Sequence, residues 1–177
     1  MKNKLKIFGF LLSFIFLSCS SFNEFGLRRN NFDIEKIKPN KNESVYGIID
    51  TSKIYKLVKI NITSDKRLSN DENGMNERNP SYLKFYKNGR VGEFRNIDLN
   101  YIETLNPKRA QSHLYNLKKD KFIVQEYFRN PQCGECFIKK LVTKNSEKEI
   151  VLSSEEDTYI YKEVEVPLNY LVFKPDW

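Results

Sequence analysis

Tyr82-Leu83-Lys84-Phe85-Tyr86-Lys87-Asn88-Gly89-Arg90-Val91-Gly92-Glu93-Phe94 is the stretch on which the fold reading turns. Two β-prone runs flank Asn88-Gly89. That dipeptide between such runs predicts a hairpin with a tight I′ turn, because both residues tolerate positive φ. Outward from the hairpin the pattern repeats. Upstream, Val45–Ile49 and Ile54–Ile62 read as strands, followed by a long polar loop from Ser64 to Pro80. Downstream, strands are expected at Ser112–Leu117, Lys121–Phe128, Phe137–Val142, Glu149–Leu152 and Thr158–Val166, with a last one at Tyr170–Phe173. Lys118-Lys119-Asp120 and Asn145-Ser146-Glu147-Lys148 supply turns, and Asn96–Arg109 holds a helical turn around Leu99–Leu105. No stretch of helical period is long enough for an α/β fold. Many short strands with a turn every 8–12 residues predict a mainly β sandwich or barrel.

Size and composition agree with one such domain. The chain has 177 residues, of which 40% are hydrophobic and 14% aromatic, too apolar a mixture for intrinsic disorder. The formal charge is +7, but its excess is not spread evenly. Lys2, Lys4 and Lys6 precede the apolar run Ile7–Leu17, which ends at Ser18-Cys19-Ser20-Ser21. A basic segment followed by 7–15 apolar residues has the layout of a secretory signal peptide. The run is short of the roughly 20 residues that a spanning helix needs.

Leu17-Ser18-Cys19 resembles the lipobox of bacterial lipoproteins, with Phe16 where the strict motif prefers Leu. The resemblance implies a signal peptide over residues 1–18, cut before Cys19. That cysteine would then carry a diacylglyceryl group and, through its new amine, often a further chain such as palmitate. Two or more acyl chains hold a protein on a membrane without spanning it. The implied location is the cell envelope, most naturally the outer membrane. Loss of residues 1–18 removes three lysines and no acid, which leaves a mature charge of +4. With Lys/Arg and Asp/Glu interspersed, even the densest basic spots, Lys118–Lys121 and Lys139-Lys140, read as solvated turns and strand ends. No nucleic-acid partner is expected.

Residues 19–43 then form the acylated Cys and a flexible tether, rich in Asn and charge, in which Phe22, Phe25 and Leu27 have the means to dock. Residues 44–177 form the folded domain. The order of its pieces, with Leu83–Val91, Leu114–Leu117 and Phe122–Phe128 as the most similar runs, resembles the lipocalin-like small β-barrels of many bacterial lipoproteins. That resemblance implies an antiparallel up-and-down barrel of about eight strands. Members of that group largely lack an assigned activity.

Few residues invite chemistry. Cys133-Gly134-Glu135-Cys136 has redox-centre spacing, but its flanks read as strand, turn, strand rather than as the βαβ setting of a thioredoxin-like site. A disulfide closing the hairpin is one reading, a reactive thiol pair another, and a metal site a third that lacks two further ligands. His113 is the sole histidine and reads as a surface or strand-edge residue. No Gly-x-Ser-x-Gly elbow accompanies it. Glu155-Glu156-Asp157 and Asp71–Glu77 sit in expected turns, as solvated acids do. No catalytic residue, metal or cofactor is therefore assigned. The aromatic residues of the strands either fill the barrel or line a cavity for a small apolar ligand. An envelope protein is the other partner expected.

Overall fold

The computed structural model describes residues 22–27, 29, 43–62, 80–130 and 134–177. Its strands are β1 (Ile54–Ile62), β2 (Ser81–Phe85), β3 (Arg90–Arg95), β4 (Gln111–Lys118), β5 (Lys121–Asn130), β6 (Gly134–Ser146), β7 (Glu149–Ser153) and β8 (Asp157–Val164). Each pairs antiparallel with the next, and β8 returns to β1, so the sheet closes into an eight-stranded up-and-down barrel.

The hairpin at Asn88-Gly89 forms, but not through a I′ turn. Only Gly89 has positive φ, at 79°. Its N–H donates to the Tyr86 carbonyl at 3.3 Å, and the Tyr86 N–H donates to the Arg90 carbonyl at 2.9 Å. This is a three-residue loop closed by a left-handed glycine, the bulged alternative to the two-residue turn. Positive φ at both turn positions occurs instead at Lys119 (50°) and Asp120 (60°), between β4 and β5.

Two expected strands are helical turns. Val45–Ile49 falls on a 3-10 helix, Glu43–Gly47, and the turn after it. The Ile48 and Ile49 N–H groups both donate to the Val45 carbonyl, which brings Val45 and Ile49 to one side as a buried pair. Tyr170–Phe173 overlaps a second 3-10 helix, Leu168–Leu171, which starts after Pro167, with the Tyr170 N–H bonded to the Pro167 carbonyl. In both places a short apolar run satisfies burial equally well as a strand or as a plug. The helical turn expected near Leu99–Leu105 is present as Ile102–Leu105.

Strand periodicity sorts the apolar residues into two cores. Tyr55, Leu57, Leu83, Phe85, Val91, Tyr115, Phe122, Val124, Val142, Ile150, Leu152 and Tyr161 form the barrel interior, together with Val45 and Ile49. Tyr82 and Phe94, on alternate positions, belong to a second cluster with Ile54, Leu105, Ala110 and Trp177. The outer face of β2 and β3 is therefore covered too, by residues 96–110 and 165–177. Gly92 makes this close cover feasible. A Cβ there would lie 3.0 Å from the Phe94 ring and 3.1 Å from the Ala110 Cβ.

Part of the stretch read as a tether joins the cover. The Asn23 carboxamide oxygen accepts from the Phe25 and Leu27 N–H groups at 3.0 and 2.9 Å, and its NH2 donates to the Lys108 carbonyl. The Arg29 guanidinium donates to the Ala110 and Pro107 carbonyls, both at 2.9 Å. It also pairs with Asp176 at 3.2 Å and lies 5.0 Å over the Trp177 ring.

Candidate functional site

Up-and-down order places the starts of β2, β4, β6 and β8 at one rim with the ends of β1, β3, β5 and β7. The opposite rim is plugged by Glu43–Gly47: the Tyr46 hydroxyl reaches the Lys87 carbonyl at 3.2 Å and the Lys144 amine reaches the Gly47 carbonyl at 3.4 Å. Inside the plugged half, Phe85 meets Tyr55, Tyr115 and Phe122 with ring centroids 5.6, 5.8 and 6.1 Å apart. The first two are edge-on and the third tilted, and aromatic pairs of this kind add about 0.5–1.5 kcal/mol each beyond burial.

The other half of the interior is ionic. Glu93 stands opposite Leu83 and His113 opposite Val91, so both face inward. The Glu93 carboxylate accepts from the Ser81 hydroxyl at 2.8 Å, from Arg95 at 2.6 Å and from His113 Nε2 at 3.2 Å. Burial alone would raise its pKa, because it disfavours the charged form. The His113 bond, the Arg95 charge and the Ser81 hydroxyl overcome that and draw the pKa down to about 2.

His113 is locked by both ring nitrogens. The Tyr127 N–H donates to Nδ1 at 3.0 Å, so Nδ1 is bare and the Nε2 proton faces Glu93. The indole of Trp177 also donates to the His113 carbonyl, at 3.3 Å. The residue read as a strand-edge histidine is only 1% exposed. With both nitrogens committed to the protein, it has no lone pair to offer a metal or a substrate.

A second pair lies further round the ring. Lys140, opposite Val124, and Glu126, two residues along β5 from Val124, meet at 2.6 Å. The Lys140 ammonium sits 3.6 Å over the Tyr159 ring, whose hydroxyl donates to Asp157 at 3.1 Å. Burial and the adjacent Asp157 both push the Tyr159 hydroxyl up. Lys140 is buried, which corrects its reading as a solvated strand end. Lys139, one position before it, is exposed as expected.

The cluster brings together none of the residues singled out for chemistry except His113 and, at its margin, Asp157. Ser81, Glu93, Arg95, Glu126 and Lys140 were not singled out. A signal for two of them exists in the sequence: Val91-Gly92-Glu93 and Val124-Gln125-Glu126 place an acid on the inward step of an otherwise apolar alternation. Cys136 is half-buried on β6 opposite Phe128. Cys19, Cys133 and Asp71–Glu77 lie outside the described residues. Among the described residues, no three His, Cys, Asp or Glu side chains gather as a metal site. No family model, curated protein or solved structure matches the chain.

Proposed function

We propose that this protein is a lipid-anchored component of a bacterial cell envelope, held on the outer membrane through an acylated Cys19. Its barrel acts by binding rather than by catalysis. The observation that supports binding is the asymmetry of the interior, apolar and plugged at one rim and ionic at the other. Buried ion pairs are a poor source of stability, and apolar side chains of similar volume often serve as well or better. Charged groups gathered toward the rim opposite the Glu43–Gly47 plug are therefore suited to recognition. A small amphipathic ligand fits that setting, with its polar end toward Arg95 and Lys140.

The competing reading, a periplasmic thiol–disulfide oxidoreductase using Cys133 and Cys136, has less behind it. The chain after Cys136 continues as a strand to Ser146. Among the described residues, no helix start is thus placed to stabilise a Cys136 thiolate. The two-residue spacing of Cys133 and Cys136 between strands β5 and β6 suits a structural staple across that connection instead.

Two experiments test the proposal. Cys19→Ala should move the protein from the membrane fraction to the soluble fraction, and unchanged partitioning would remove the anchor. Native mass spectrometry of residues 20–177, exported to an oxidising compartment, should show an added mass. That mass should be lost in Lys140→Met. A bare chain in both proteins would argue for a barrel that acts through its outer surface.

A further inference from the structure

We infer that the barrel is seated directly on the bilayer, with the cover formed by the Phe22–Arg29 stretch and residues 96–110 and 165–177 facing the lipid headgroups. This rests on the acylation of Cys19 proposed above and adds an orientation to it. The argument is one of length. A free coil over residues 20–43 would have an end-to-end distance of about 27 Å, enough to let the domain tumble clear of the surface. The chain is instead fastened to the barrel at Asn23, on Lys108, and at Arg29, on Pro107, Ala110 and Asp176. Only three Cα steps separate Cys19 from Phe22, a reach of about 10 Å. An anchor so close leaves the cover as the part of the molecule that meets the membrane.

The side chains of the cover suit that position. Phe22, Tyr101, Leu168 and Val172 are 61, 66, 77 and 64% exposed, and each belongs to one of its segments. Phe25 stacks 4.4 Å under the Arg109 guanidinium, beside Lys108. The segments are joined to one another: the Tyr170 hydroxyl donates to the Asn100 carbonyl at 3.1 Å, and Glu24 pairs with Lys108 at 3.1 Å. Aromatic and basic side chains side by side are the usual occupants of the headgroup zone.

The test uses the lipidated full chain in nanodiscs of phosphatidylethanolamine and phosphatidylglycerol doped with a gadolinium-chelating headgroup lipid. The readout is paramagnetic broadening of backbone amide signals. Mass spectrometry of the N-terminal peptide first establishes whether Cys19 carries acyl chains. A bare Cys19 overturns the anchor and the orientation together. For acylated protein, the amides of residues 22–27, 100–109 and 168–172 should broaden several-fold more than those of β6, which lies three strands from β3 and four from β2 around the ring. Equal broadening on both sides overturns the orientation and leaves the anchor standing. Arg29→Ala, with a β6 spectrum that reports an intact barrel, should even out the two sides. If the imbalance persists in that variant, the docked segment is not what seats the barrel and the inference fails.

Discussion

The two halves of the barrel interior are built on the same strands and solve the same problem in opposite ways. Around Phe85 the chain buries rings against rings, and the Val45–Ile49 turn closes the rim behind them. Around Glu93 and Lys140 it buries charges, each matched by a partner within 3.2 Å. The first half gains stability in proportion to area. The second gains little net stability but has a geometry that tolerates few alternatives, because any unpaired group there would be costly. One interior thus holds a part that stabilises and a part that specifies.

The sharpest way to break this contrast is at its apolar end. Phe85→Ala should lower stability by about 4 kcal/mol, as a large buried ring lost from a packed core does. Urea unfolding would measure it, and a loss below about 1 kcal/mol would mean that the closed half is not the stabilising one. Next in size, Lys140→Met strands the Glu126 carboxylate and should cost about 3 kcal/mol. Adding Glu126→Leu should restore most of that loss, since the double variant carries neither charge of the pair. If the double variant is no more stable than the single, the pair contributes net stability and the contrast between the halves fails.

Within the interior, acid should act on the ionic half and spare the apolar one. The folded pKa of Glu93 is held at about 2, below its ordinary value of 4.5. Its contribution is therefore complete above about pH 4.5 and is lost as the pH falls toward 2, by roughly 2–3 kcal/mol. Glu93→Gln should flatten that part of a stability–pH curve measured by denaturant midpoints. The mildest effect belongs to the outer face of β2. Burial beneath the cover lowers the Lys84 amine to about 8, only partly offset by Asp50, while its nitrogen is held on the Thr51 and Lys53 carbonyls. The unfolded chain binds that proton more tightly, so stability should rise from about pH 8 toward 10. Above pH 10 it should fall, because burial raises the hydroxyls of Tyr55, Tyr115 and Tyr161 in the folded state. Lys84→Met should abolish the rise and keep the fall.

The strand order was legible because alternation and turn chemistry are local. Ile54–Ile62 is read to the residue, and spacing narrows the class to a sandwich or barrel, between which the resemblance to lipocalin-like domains chooses. Turn type was less legible. Asn88-Gly89 allows two loops, and the bond between the Gly89 carbonyl and the Tyr115 N–H on β4 belongs to a neighbour that the dipeptide cannot announce. Val45–Ile49 failed for a related reason, since an apolar run does not say whether it will pair or plug. The ionic cluster was the least legible part. Ser81, Glu93 and His113 are separated by up to 32 positions, and only the register of β2, β3 and β4 brings them within hydrogen-bond distance.

Closure through β1 and β8 has a kinetic consequence. Ile54 meets Val164, 110 positions further along the chain, so the ring cannot shut until nearly all of the domain is available. Non-local pairing of this kind makes folding slow. Until β8 arrives, the partly formed sheet presents two raw edges, β1 and β7, each able to recruit another polypeptide. A chain that crosses a membrane before folding would meet this hazard on the far side. Its yield there should depend on how quickly the final strand follows the first.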